Sequence, residues 1–178
     1  DPDHEYFSDG LTEDVIADLS KIEALRVISR TTAMRFKGVP VDLGAVSRQL
    51  DVRYVLEGSA RKSGSNLRIT TQLVDAWIDA PLWSEKYTGT LEQTFEIQER
   101  VSRAVAEALR LRLTADDDRR LARRPTASGF VYDLYLRARR DILSFDRARL
   151  DRARDDLQRA LGIVGGDPLL YAGLGMAG

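Results

Sequence analysis

The sequence predicts an α/β domain, with a mixed sheet and helices packed on it, followed by an α-helical segment. Three observations predict this. Apolar residues recur at helical spacing over Leu11–Ile22 and again over Ile97–Ala108. Between those stretches, Arg53–Arg61 and Leu67–Val74 alternate in character around the turn formers Lys62-Ser63-Gly64-Ser65-Asn66. From Phe130 onward the spacing is helical throughout.

Taken in order, Leu11, Val15, Ile16, Leu19 and Ile22 give the first helix a core face, with Asp9 or Thr12 as its cap. Leu25-Arg26-Val27-Ile28-Ser29 reads as a short buried strand, and Asp42–Leu50 as a second helix carrying Leu43, Val46 and Leu50 on one face. The alternating pair forms a hairpin, with Tyr54, Leu56, Gly58 and Ala60 sharing a side and Leu67, Ile69, Thr71 and Leu73 sharing another. Leu82–Tyr87 is a third strand. A long helix is predicted from Leu91 to about Leu113, with Glu96–Arg100 and Glu99–Arg103 in the favoured acid-first order. The charge block Asp116–Arg120 and the breakers around Pro125 place a linker, or an extension of that helix, over 114–129. Helices follow over Phe130–Ala138 and Leu150–Leu161, and a third starts at Leu169 after Gly165-Gly166-Asp167-Pro168.

Composition narrows the function. The 178 residues include 27 basic and 28 acidic side chains, for a net charge of -1, so no basic excess favours nucleic acid as a partner. There is no cysteine, which excludes disulfides, thiol nucleophiles and cysteine metal sites. The lone His4 has no second histidine for a metal pair and is expected to be an exposed terminal residue. Gly58–Gly64 lacks the phosphate-loop spacing and runs into a strand. No cofactor and no catalytic residue is therefore expected. Glu13, Asp14 and Asp18 read as acids that complement a helix start or meet solvent. Trp77, Trp83 and Tyr87 are expected in core packing and cross-strand pairs. The arginines from Arg137 to Arg159 interleave with aspartates, which predicts an ion-paired outer face with Arg152–Asp156 and Asp155–Arg159 among its pairs. Ser8, Asp9, Ser29, Arg30 and Thr31 lie at element ends, where they read either as caps and turns or as the lining of a small-ligand crevice.

Several ordered blocks resemble the TolB amino-terminal-like family. They are Glu5-Tyr6-Phe7-Ser8-Asp9-Gly10-Leu11-Thr12-Glu13-Asp14, Leu25–Thr31, Arg53–Ser59, Gln72–Ala76 and Leu82–Tyr87, and the resemblance spans residues 1–113. It implies a strand preceding Asp1, so that this piece would lack its first strand and expose a sheet edge. Residues 130–178 resemble the start of a tetratricopeptide (TPR) array. Tyr171, Leu174 and Gly175 fit its opening spacing, and Leu157 and Ala160 fit the second helix of a preceding repeat. These five residues would dock repeats on one another. The chain opens without Met and stops at Gly178 in mid-pattern, so it reads as part of a longer protein.

This domain order is similar to the C-terminal region of bacterial class III adenylate/guanylate cyclases. It implies a non-catalytic regulatory or protein-interaction region, with any cyclase activity elsewhere in the parent. The alternative it implies is a small-ligand sensor of a cyclase or of a winged-helix transcriptional regulator. Partners would be proteins, or a second copy of the chain, through the TPR segment or the exposed edge. Contact with a membrane would come only through a segment outside this chain.

Overall fold

The structure is a computed structural model that describes residues 2–126, 128–144 and 146–177, with side chains from Glu5 onward. His4 lies outside the described side chains. Among the described residues there are eight α-helices and one three-stranded sheet. The helices are α1 (Pro2–Leu19), α2 (Arg30–Ala33), α3 (Leu43–Leu50), α4 (Thr94–Ala108), α5 (Ala115–Leu121), α6 (Gly129–Ile142), α7 (Arg147–Val164) and α8 (Pro168–Ala177). The strands are β1 (Tyr54–Ser63), β2 (Asn66–Asp75) and β3 (Ala80–Thr90).

The sheet has the order β1-β2-β3 and both pairings are antiparallel, so it is not the mixed sheet expected from the sequence. A mixed sheet needed Leu25–Ser29 as a strand. That segment has no ladder partner and stays irregular, although Leu25 and Val27 still pack against a core cluster. Ser63 pairs with Asn66 across the two-residue turn at Gly64, whose φ of 58° is that of a hairpin turn with glycine in its first central position. Gly58 is required on β1 because a Cβ there would lie 2.4 Å from the Thr70 carbonyl oxygen. Leu67, Ile69, Thr71 and Leu73 of β2 are buried on one face, as their alternation predicts.

That face packs against α1 and α4. Leu11, Ile69, Tyr87, Ile97 and Val101 form one cluster, and Leu19, Ile22, Leu73, Val105, Ala106 and Leu121 form a second. α1 begins well before the expected Leu11. Pro2 is compatible with a first helical turn, and Tyr6 and Phe7 are buried against Leu67, Leu91, Phe95, Tyr132 and Leu136. The N-terminal block is thus helix, held by aromatic burial.

α4 is shorter than the helix predicted to Leu113. Arg110 takes a left-handed φ of 56°, and the Leu111 N–H donates to the Ala106 carbonyl at 2.9 Å. This is a helix C-terminal motif usually built on glycine. The 114–129 stretch then contains α5. The Thr114 hydroxyl accepts from the Asp117 N–H, and the Asp117 carboxylate accepts from the Thr114 N–H, a reciprocal cap. Leu121 carries α5 into the core.

α6 is buried on two sides. Tyr132 and Leu136 face the cluster with α1, while Val131, Leu134, Ala138 and Ile142 face Ala153, Leu157 and Ala160 of α7 and Leu170 of α8. Its start is fixed by Glu92, whose carboxylate accepts hydrogen bonds at 3.0 Å from the Gly129 N–H, the Phe130 N–H and the Ser128 hydroxyl. A Cβ at Gly129 would lie 1.8 Å from the Leu91 carbonyl oxygen, so only glycine allows this approach.

Candidate functional site

Three polar or mixed clusters stand out. The first lies where β1 begins and β2 ends. Asp75, the last residue of β2, is only 2% exposed and receives two bonds from Arg53, at 2.9 Å from Nε and 2.8 Å from Nη2. It also accepts from the Trp77 N–H at 3.1 Å, which shapes the turn into β3. The Arg53 guanidinium bonded to it, helped by that N–H, holds the Asp75 carboxyl below the usual carboxylate range.

So fixed, the guanidinium carbon of Arg53 lies 5.1 Å from the Tyr54 ring centroid and 4.9 Å from that of Trp77. Both are cation–π distances. Trp77 remains 69% exposed and Ile78 68% exposed. Trp77 forms one wall of a cleft of about 670 Å³, together with Val39 and Val41 of the loop before α3. The acidic residues of the cleft are Asp42, Glu57 and Asp79, and Arg48 is its basic one. Exposed apolar side chains gathered in this way mark interaction surfaces.

The second cluster is buried where α1, β1 and α6 meet. Lys62 Nζ lies 2.8 Å from both carboxylate oxygens of Asp133 and 2.8 Å from the Tyr6 hydroxyl. The Tyr6 hydroxyl donates to Asp133 at 2.9 Å, and Arg137 completes the set at 3.1 Å. The side chains of Asp133 and Lys62 are 2% and 9% exposed. Arg137 also lies 3.9 Å from Asp156, so two cations meet two carboxylates, and the cluster fixes α6 on β1.

The third cluster joins α1, α4 and α6. Asp14 accepts from Gln98 Nε2 at 3.1 Å and from the Tyr132 hydroxyl. Glu13 pairs with Arg30 and with Arg139, each at 2.8 Å. Burial pushes the Asp14 carboxyl up to about 7, against the hydrogen bond from Gln98 and with the help of the neighbouring Asp18 and Glu13 charges. Burial also raises Asp18. A carboxyl titrating near neutrality is a candidate acid–base group in general. Here its bonds go to Gln98 and Tyr132, and no cleft described in this structure includes it.

The five residues predicted to line a ligand crevice fall in α1 and around α2. The Ser8 carbonyl accepts from the Thr12 hydroxyl at 2.8 Å, and Asp9 pairs with Lys37 at 2.6 Å. Ser29 caps α2, Arg30 pairs with Glu13, and Thr31 is exposed. None of the five lines either described cleft. Of the five repeat-docking residues, Leu157 and Ala160 are fully buried and Leu174 packs partly on the α6–α8 core. Tyr171 is 58% exposed, and a Cβ at Gly175 would touch nothing within 4 Å. The glycine that α7 does approach is Gly173, where a Cβ would sit 3.1 Å from Leu157.

Of the aromatic trio expected inside, Tyr87 is buried and Trp83 half-buried, but Trp77 is not. Its position in the turn Ala76-Trp77-Ile78-Asp79, between β2 and β3, is the signal that marks it. The expected Glu99–Arg103 pair forms at 3.0 Å, whereas Arg100 turns to Glu85 on β3. Arg152 reaches Asp141 on α6 at 3.7 Å instead of Asp156. Among the described residues, no group of three or more His, Asp or Glu side chains is gathered to hold a metal ion, and no helix is long and apolar enough to cross a membrane.

Comparison with known proteins adds two findings. The chain is 42% identical over 174 residues to a Rhizobium meliloti (strain 1021) protein named "Putative adenylate cyclase 3". That alignment covers 98% of this chain and 30% of the relative, so the chain spans under a third of the relative's length. A family model described as the HilA/YgeH-like transcriptional regulator, second domain, matches residues 2–104. The blocks that suggested a TolB amino-terminal-like domain fall inside that match, and neither a TolB nor a TPR domain was found. The TPR resemblance, carried by Tyr171, Leu174, Gly175, Leu157 and Ala160, is thereby corrected: no such domain is found. Matched over more than half of its length, the chain belongs to the HilA/YgeH-like transcriptional regulator second-domain family.

Proposed function

We propose that this chain is a non-catalytic, protein-interaction region of a larger bacterial signalling protein, and that its working surface is the Trp77 platform. The observation that carries the reading is the 69% exposure of an indole whose neighbour Arg53 is locked in place from beneath by a buried carboxylate. A pre-organised aromatic on the surface loses little conformational freedom when a partner covers it, and such residues dominate binding energy. The parent is read as an adenylate cyclase, because the similarity to the Rhizobium protein runs along 98% of this chain.

A second reading has its own support. The family's description favours a transcriptional regulator as the parent, with this chain passing a signal to a DNA-binding part elsewhere. The net charge of -1 does not suit this chain to holding DNA itself.

One experiment addresses both. Trp77→Ser is placed in the full-length protein, and formation of cyclic AMP from ATP and retention of promoter DNA are measured beside the unmodified protein. The cyclase reading expects nucleotide cyclisation that changes severalfold with Trp77→Ser. DNA retention without cyclisation moves the parent to the regulator class. A variant identical to the unmodified protein in both assays defeats the interaction reading.

A further inference from the structure

The cleft beside Trp77 is lined by more acid than base. Several acids elsewhere have a cation in contact: Glu13 has Arg30 and Arg139, Asp9 has Lys37, Asp116 has Arg119 and Arg120, and Asp118 has Arg103. In the cleft, Asp42, Glu57 and Asp79 make no ion pair among the described residues, and the lining offers only Arg48 against the three of them. Asp42 spends one oxygen on the Ala45 N–H at the start of α3, at 3.1 Å, and keeps its charge. Carboxylates left unmatched beside exposed apolar side chains are complementary to a cationic, partly apolar partner.

Trp77 adds a second, independent indication. Its ring already has one cation, the Arg53 guanidinium, at cation–π distance, which accounts for one face. At 69% exposure the indole retains surface for another contact. The quadrupole that draws Arg53 to one face draws a lysine or arginine to the other, and the apolar Val39 and Val41 stand ready for an aliphatic side chain.

We propose that the cleft receives a basic segment of a partner protein, with an aliphatic side chain seated against Val39 and Val41 and lysine or arginine meeting the ring of Trp77 and the carboxylates of Asp42, Glu57 and Asp79. This rests on the reading of Trp77 as the working surface, and it adds the chemistry of what binds there.

The test titrates the chain with a short peptide alternating leucine and lysine, and separately with its leucine–glutamate counterpart, to about 1 mM. Of the two tryptophans, Trp83 is half-buried against the core, so a blue shift in emission on binding reports Trp77. The leucine–lysine peptide should produce the shift and the leucine–glutamate peptide should not. The triple variant Asp42→Asn, Glu57→Gln, Asp79→Asn removes the charges while keeping a helix cap at 42 and a residue tolerant of positive φ at 79. It should weaken the leucine–lysine peptide on the order of tenfold, with an unchanged far-ultraviolet spectrum. Equal binding of the two peptides, or no shift with either, overturns the proposal. In that event a response of the full-length protein to Trp77→Ser still upholds the interaction reading, whereas a silent Trp77→Ser removes both.

Discussion

Asp14→Asn should stabilise the chain at neutral and alkaline pH and leave it unchanged in acid. Asp14 lies in the interior of α1, where it receives bonds from Gln98 of α4 and Tyr132 of α6. Its carboxyl is moved from the ordinary 3.8 to about 7, chiefly by burial. The sign follows from linkage. Below the unfolded value both states hold the proton. As pH rises, the unfolded chain ionises first and gains, and the folded chain stops losing ground only above its own value. Stability is therefore lost between about pH 4 and pH 7, and the loss is complete above that window. A shift of this size corresponds to roughly 4 kcal/mol at most. Asparagine is neutral at every pH and keeps an oxygen for Tyr132, so it should recover about 2–4 kcal/mol at pH ~8 and about zero at pH ~4. For a chain of this length that is a rise in Tm of about 5–15 °C. Urea denaturation followed by circular dichroism at the two pH values measures it. A loss of stability at the higher pH, or the same change at both, would refute the argument that burial sets the Asp14 titration.

Three further outcomes test how α6 is held. Gly129→Ala should cost upward of about 3 kcal/mol in the same denaturation assay, because the new methyl meets backbone of Leu91 and Glu92 that has nowhere to move. Glu92→Ala removes the acceptor for the first N–H groups of α6 and should cost about 1 kcal/mol. Burial raises the Glu92 carboxyl, but the bonds from Phe130, Gly129 and Ser128 outweigh it and leave it lowered. Its contribution is thus present above the ordinary carboxylate range, and a pH series should show the difference from Glu92→Ala vanishing as the solution is acidified. Asp133→Ala strands the Lys62 charge in the interior and should cost about 3–5 kcal/mol, while the double change Lys62→Met, Asp133→Leu should restore most of the loss, as read by chemical denaturation.

Where side-chain period alone decides an element, the sequence was readable. Leu67, Ile69 and Leu73 alternate and are buried, and Ile97, Val101 and Val105 recur at helical spacing and are buried. The turn at Gly64 and the cap at Asp42 follow from residue chemistry. What escaped depends on tertiary partners. Leu25–Ser29 has the composition of a strand, but a strand exists only with a neighbour to bond. The end of α4 rests on Arg110 in a conformation that sequence rules assign to glycine. The start of α1 has a chemical consequence: with Leu11 as the first residue, Asp14 reads as an acid of the first turn, whereas in a helix from Pro2 it lies against α4 and α6 and titrates near neutrality. Trp77 was assigned to the interior by its residue type, and its place in a turn outweighs that preference.

A helix enclosed from two directions has an uncommon history open to it. Most surface helices keep half their circumference free, and substitutions accumulate there without penalty. In α6 the buried positions are Gly129, Val131, Tyr132, Asp133, Leu134, Leu136, Ala138, Asp141 and Ile142, and Arg137, Arg139 and Arg140 are ion-paired, which leaves little beyond Phe130 open to drift. Among diverging relatives, α6 should change most slowly, and an insertion of even one residue within it would turn Tyr132 away from α1 or Leu134 away from α7. The lineage can lengthen the loops on either side of this helix far more readily than it can alter the helix itself.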